Sequence, residues 1–344
     1  MLTKRTLLSL LFGVIFTGVA FADTVKLNPD HPDRYVVVAG DTLWDIAGRF
    51  LREPWLWPEI WHINPEIANP HLIYPGDVIA LSFREDGTPV LSVERGQATT
   101  VKLSPQIRTE DTAQAIPTIT PGLIKPFLEQ PQVLSKKEYE KAPYVVAGEE
   151  SRLISGTSNK IYVRGLNEAA DSRYSIVHIG EALRQPGKKE VLGYEAIHAG
   201  DAVVEAFGDP ATLRIVDAKR EVLIGDRLVP VDTKPFEAYF MPRAPGRIVN
   251  GNIIAVRDAV SRVGRYQVVV IDLGANDGLE SGHVLAIFQK GDTIRDVVSG
   301  GKQVTLPERR AGELMVFRTF ERISYALVME AAYDIRLSDA VKNP

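Results

Sequence analysis

At 344 residues the chain is too long for one ordinary hydrophobic core and suits about two or three domains. Apolar residues make up 45% and charged residues 24%, a globular rather than a disordered composition. The 40 Lys+Arg against 44 Asp+Glu argue against nucleic acid as the main partner, since phosphate binding wants a basic excess. The absence of Cys excludes disulfides, cysteine nucleophiles and a lipid anchor on a cleavage-site cysteine.

In chain order, residues 1–22 read as an export signal. Lys4 and Arg5 form a basic start, an apolar run extends from Leu7 to Val19, and Ala20-Phe21-Ala22 supplies an A-x-A cleavage pattern. The run falls short of the ~20 residues a spanning helix needs. Cleavage and export of the remainder are expected.

Residues 35–82 form a compact unit holding all four tryptophans, Trp44, Trp55, Trp57 and Trp61. Tyr35–Val38 reads as a strand ended by a turn at Gly40. Thr42 with Asp45 three places on matches a helix-capping pattern. Leu43, Ile46, Ala47 and Phe50 then fall on one helical stripe. Pro58 is placed to open a second helix over EIWHIN, which Pro65 shuts off. Tyr74-Pro75-Gly76-Asp77 leads into the strand VIAL. The expected order is strand, helix, helix, strand.

Residues 83–141 change texture. Pro89, Pro105, Pro117, Pro121, Pro126 and Pro131 interrupt short β-prone pieces, as in a connector with some strand content. Short alternating strands then return at close intervals, the pattern of barrels or sandwiches. The Pro- and Gly-rich MPRAPGR at 241–247 is a plausible seam, dividing this tail into β-rich regions 142–244 and 245–344. HAGDAVVEA, LIGDRLVPV, ESGHVLAIF and RLSDAVKN each place a tight polar turn before a strand, which suits strand starters. Residues 247–262 suit strand or helix equally. Within VVVIDLGANDGLESGHVL, Asn276-Asp277-Gly278 reads as a hairpin turn. The next strand follows too soon for the helix of a nucleotide-binding loop, and Asp277 stands where a calcium loop needs Gly.

Catalytic chemistry finds little support. The six histidines (His31, His62, His71, His178, His198, His283) are scattered without an H-x-H or H-E-x-x-H pair. A lysozyme-like carboxylate pair assembles only in three dimensions, and the β-rich tail offers no helical frame for one. The chain reads as non-enzymatic, with no cofactor and no metal.

The pattern Y-x-V-x-x-G-D-T-L-x-x-I-A, then N-P, then I-Y-P-G-D-x-I, resembles the LysM domain over residues 35–82. The resemblance implies a βααβ fold that binds glycans containing N-acetylglucosamine. It places the sugar between Gly40, Asp41, Thr42 and Leu43 on one loop and Asn69, Pro70, His71, Leu72 and Ile73 on the other. LREPWLWPEIWHIN is longer and more aromatic than the usual segment, so it enlarges either the core or the groove. The fold class is then α+β, a βααβ module followed by a mainly β barrel- or sandwich-like region.

From Tyr144 onward, strings such as KAPYVVAGEE, LGYEAIHAGDA and RAGELMVFRTFERISYALVMEA resemble the secretin-associated LysM proteins of type IV pili. Their C-terminal region is similar to the flagellar T-ring protein. What the resemblance implies is a periplasmic anchor present in many copies around a ring. It would bind peptidoglycan and an outer-membrane secretin ring, with the connector supplying reach. The alternatives are a scaffold of another envelope machine, such as a flagellar ring, or a peptidoglycan hydrolase or its activator.

Overall fold

The computed structural model describes residues 25–61, 73–94, 115–128, 133–166, 172–231, 240–256 and 263–344. The expected export signal lies outside these residues. The described chain is mostly β, with a small α+β unit at its N-terminal end.

That unit begins with β1 (Arg34–Val36), followed by α1 (Leu43–Phe50), α2 (Trp57–Ile60) and β2 (Val78–Phe83). The two strands pair antiparallel, with Tyr35 opposite Ile79. Thr42, in extended conformation, caps α1 by accepting a hydrogen bond from the Asp45 N–H at 3.1 Å. The expected stripe of Leu43, Ile46, Ala47 and Phe50 is buried, and Trp44 is buried beside it. Trp55, Leu56 and Trp57 also point into this core, so the long aromatic segment enlarges the core. α2 is shorter than the expected helix. Trp61 turns to extended backbone and bridges to Leu91, while residues 62–72 lie outside the described part.

The Pro-punctuated stretch is drawn into the fold wherever it is described. β3 (Pro89–Glu94) adds to the free edge of β2, with Leu81 opposite Leu91. Residues 115–120, bent at 118–119, pass the N-terminus of α1 and enter α3 (Pro121–Leu128). Ile116, Ile119 and Ile124 are buried there in one cluster with Leu43, Trp57 and Ile73. A connector giving reach is not what these residues form. Their apolar side chains gain more from burial than an extended linker could give them.

The next region opens with β4 (Val133–Leu134) and α4 (Lys136–Lys141), the latter closed by a capping box between Ser135 and Glu138. The strands β5 (Tyr144–Gly148), β6 (Ile154–Ser155), β7 (Lys160–Arg164), β8 (Arg173–Arg184), β9 (Val191–Ala206), β10 (Ala211–Ala218), β11 (Val222–Leu223) and β12 (Arg227–Pro230) follow. All but β6 and β11, which pair with each other, join β4 in a sheet of order β10-β7-β5-β12-β8-β9-β4. An extra β10–β9 pairing curls that sheet onto itself. HAGDAVVEA is not a turn opening a strand. It lies inside β9, where a Cβ on Gly200 would sit 2.3 Å from the Asp217 carbonyl oxygen. A close crossing of two backbones, not a turn, requires that glycine.

The remaining echoes are turns. The N–H groups of Leu223 and Arg336 each donate at 2.8 Å to the carboxylate three residues on, Asp226 and Asp339. Glu280 N–H does the same to His283 Nδ1 at 3.1 Å. In each case the residue before the acceptor has positive φ, Gly225 at 93°, Ser338 at 72° and Gly282 at 92°.

A closed barrel completes the chain. β13 (Asn250–Val256), β14 (Val268–Ile271), β15 (Val284–Gln289), β18 (Arg309–Thr319), β19 (Ser324–Ala331) and β20 (Ala340–Lys342) close in the order β13-β14-β19-β18-β15-β20. β16 (Thr293–Asp296) and β17 (Lys302–Thr305) form a separate hairpin between β15 and β18. Strand alternation sorts the barrel side chains. Val269, Ile271, Leu314, Val316 and Val328 fill the interior. Val268, Val270, Met315, Phe317, Tyr325 and Leu327 face outward, yet are buried in the same cluster as the Trp-rich unit. Both faces of these strands are covered, which is why they read as continuous apolar runs. Asn276-Asp277-Gly278 is not a hairpin turn, because β14 pairs with β13 and β19 while β15 pairs with β18 and β20. It is one 3-10 turn, with Gly278 at φ 73° and Arg247 donating to the Asn276 carbonyl at 2.8 Å.

Candidate functional site

Two Gly-Asp turns stand side by side at one end of the β1–β2 pair. Gly40 has φ 95° and Gly76 φ 99°, conformations that L side chains rarely adopt. Asp41 accepts from Val38 N–H at 2.9 Å and from the Tyr35 hydroxyl at 3.0 Å. Asp77 accepts from Tyr74 N–H at 2.9 Å. Val37 joins the turns, donating to the Asp77 carbonyl at 2.9 Å and accepting from Gly76 N–H at 2.8 Å. Burial pushes the Tyr35 phenol up from its ordinary value, and the Asp41 carboxylate adds to the rise. The phenol thus remains the donor in that bond.

Of the sequence-predicted residues, Gly40, Asp41, Thr42, Leu43 and Ile73 come together at this end. Asn69, Pro70, His71 and Leu72 lie outside the described residues. Gly40 is exposed and Asp41 half-buried, while Thr42, Leu43 and Ile73 are buried. The cleft contributes mainly backbone groups, because the Asp41 and Thr42 side chains serve the turn and the cap. Sequence reasoning missed the chain lying across it. Leu43 N–H donates to the Pro117 carbonyl at 3.0 Å and Trp44 N–H to the Thr118 carbonyl at 3.2 Å. Ile116 N–H donates to the Ile73 carbonyl at 2.8 Å. Main-chain bonds of this kind leave no mark in side-chain identity; the one available signal was the apolar spacing of AIPTIT beside Pro121.

Asp45 was legible only as part of a cap. Its carboxylate accepts from the Thr42 hydroxyl at 2.8 Å, and also from Arg265 at 2.7 Å and the Tyr266 hydroxyl at 2.8 Å, both on the barrel. Burial first, then the Asp45 bond, pushes Tyr266 up to about 12, which keeps its proton in place as the donor. Arg310, also on the barrel, reaches Glu53 at 3.5 Å. A polar cleft of about 630 Å³ runs along this seam, lined by Asp41, Trp44, Asp45, Arg49, Arg265 and Glu330 among others. Asp45→Ala should therefore lower the unfolding free energy by about 2 kcal/mol, since it removes the acceptor of two hydroxyls and one guanidinium. Urea denaturation of the full chain measures this, and a loss no greater than that of an exposed surface substitution would rule out the clasp.

Main-chain donors at Leu43 and Trp44 and an acceptor at Ile73, all engaged by residues 116–118, stand beside the buried side chains of Leu43 and Ile73. Among the described residues no group of three His, Asp or Glu is placed to hold a metal.

Residues 35–82 match the LysM domain family. They form a LysM domain. LysM domains bind peptidoglycan and glycans containing N-acetylglucosamine, and they are typical of extracytoplasmic proteins. No catalytic family is matched. Over 70 residues the chain is 37% identical to an uncharacterized protein, YqbP, of Bacillus subtilis strain 168, an alignment covering 17% of this chain. The chain spans about a third of that relative's length, 32%.

Proposed function

We propose that this protein is a non-catalytic periplasmic anchor that holds peptidoglycan through its LysM domain and tethers the outer-membrane secretin of a type IV pilus. The observation that carries the wall-binding half is the LysM domain at 35–82, with its paired turns and main-chain cleft. In this reading the N-acetyl group lies between Gly40–Leu43 and Asn69–Ile73. The secretin half rests on the resemblance of the β-rich tail. Its division at the 241–247 seam, the export signal at 1–22 and assembly of many copies around a ring belong to the same proposal. One small groove binds weakly, and a ring of copies would convert weak contacts into firm attachment by effective concentration.

A flagellar-ring scaffold is the nearest rival. Affinity capture from envelope extracts separates the two: recovery of a secretin supports the pilus reading, and recovery of flagellar basal-body components with no secretin overturns it. The wall-binding half has its own test. The full chain should sediment with purified peptidoglycan, and the Asn69→Ala/His71→Ala variant should stay in the supernatant. Persistent pelleting of the folded double variant would displace the site from these loops. Clearing of a peptidoglycan gel by the purified protein would favour a hydrolase instead.

A further inference from the structure

We propose that the LysM cleft carries its own occupant: residues 116–119 form an occluding strap, and a wall glycan must displace it to bind. The inference rests on the cleft assignment made above.

An α-helix begins with main-chain N–H groups that have no partner within the helix. In α1 every one of the first three is taken. Asp45 N–H goes to the Thr42 hydroxyl, while Leu43 and Trp44 N–H go to the Pro117 and Thr118 carbonyls. Ahead of β2, the Ile73 carbonyl receives Ile116 N–H. The strap thus joins the N-terminus of α1 to Ile73 and saturates donors on one and an acceptor on the other. An acetamido group presents one C=O and one N–H, the same pair that a peptide unit presents. Strap and sugar therefore compete for a single set of main-chain partners.

The apolar ground is taken as well. Ile116 and Ile119 are buried in one cluster with Leu43 and Ile73. Pro117 has no N–H of its own to satisfy, so its carbonyl turns toward α1 without leaving a buried donor behind. The fully buried Thr118 donates its hydroxyl to the Phe240 carbonyl at 3.0 Å, which holds the strap from the far side. α3 follows directly, and Arg318 of the barrel donates to its Phe127 carbonyl at 2.7 Å. The segment is anchored at several points and is built into the cleft.

A protein whose binding-competent state is only fractionally populated binds its ligand with an affinity reduced by that fraction. Loosening the strap should therefore tighten glycan binding. The probe is chitotetraose, titrated calorimetrically into the full chain, into Ile116→Ser/Ile119→Ser and into the milder Thr118→Ala. The double variant should bind about tenfold more tightly or better, with Thr118→Ala between it and the wild type. Equal affinities in folded variants would overturn the strap and leave the cleft assignment standing; no binding by any of the three chains would overturn both. Hydrogen exchange on the unaltered protein gives an independent reading. Saturating chitotetraose should speed exchange at the Ile116 amide while Leu43 and Trp44 stay slow, and an Ile116 amide that stays protected under saturation would refute displacement.

Discussion

Replacing Trp57 with Ala should destabilise the chain by about 3–5 kcal/mol, the range for deleting a large aromatic side chain from a packed core. Trp57 is 2% exposed and meets Trp61 edge-on at 5.6 Å between ring centroids. Its cluster joins the LysM core to residues of the strap and of the outer wall of the barrel, so the vacated volume lies within one continuous packed core. The surroundings have little freedom to collapse into it. Urea denaturation of the purified chain gives the number. A loss below about 1 kcal/mol would mean that the aromatic segment between the helices is peripheral to the core.

The second large effect concerns Glu313, a buried carboxyl on β18. Burial pushes its pKa up from 4.5 to about 7, and the Glu330 and Glu53 carboxylates add to the rise. Arg310 pairs with it and pulls the other way, but desolvation outweighs that pairing. The unfolded chain releases this proton near the ordinary value while the folded chain keeps it to about 7. The native state therefore binds more protons across that window, and stability falls as pH rises from about 4.5 through about 7. The shift corresponds to about 3 kcal/mol, an upper figure for a single site. Glu313→Gln should flatten this part of the stability profile and gain most above pH 7. Melting curves from pH 5 to 8 test it, and an unchanged slope in the variant would show that Glu313 ionises normally.

Much of the LysM domain was legible because its signals are local. The Thr42–Asp45 cap, the α1 stripe and the two Gly-Asp turns each depend on residues within one or two turns of chain. The barrel strands were legible from spacing, although their two-sided burial was not, since it depends on what packs outside. HAGDAVVEA misled because Gly serves close backbone crossings as well as turns, and only the partner strand distinguishes the two uses. Asn276-Asp277-Gly278 misled for a similar reason, as turn chemistry does not say whether the flanking strands pair. The strap was hidden because it binds through peptide groups that every residue possesses. Asp45 was half legible, and its barrel partners lie 220 and 221 residues away in the sequence.

The seam between the LysM domain and the barrel has a mechanical consequence. Asp45 in α1 and Glu53 in the segment after it fasten the LysM domain to the barrel wall through Arg265, Tyr266 and Arg310, above a shared apolar interface. Under the proposed anchoring role, tension applied at the LysM domain would pass into the barrel across these side chains and the apolar interface beneath them. Bonds at such a seam share the pull and must break together rather than one after another. In the proposed role, a domain fixed to the barrel in this way would pass on the orientation of whatever it holds as well as its position.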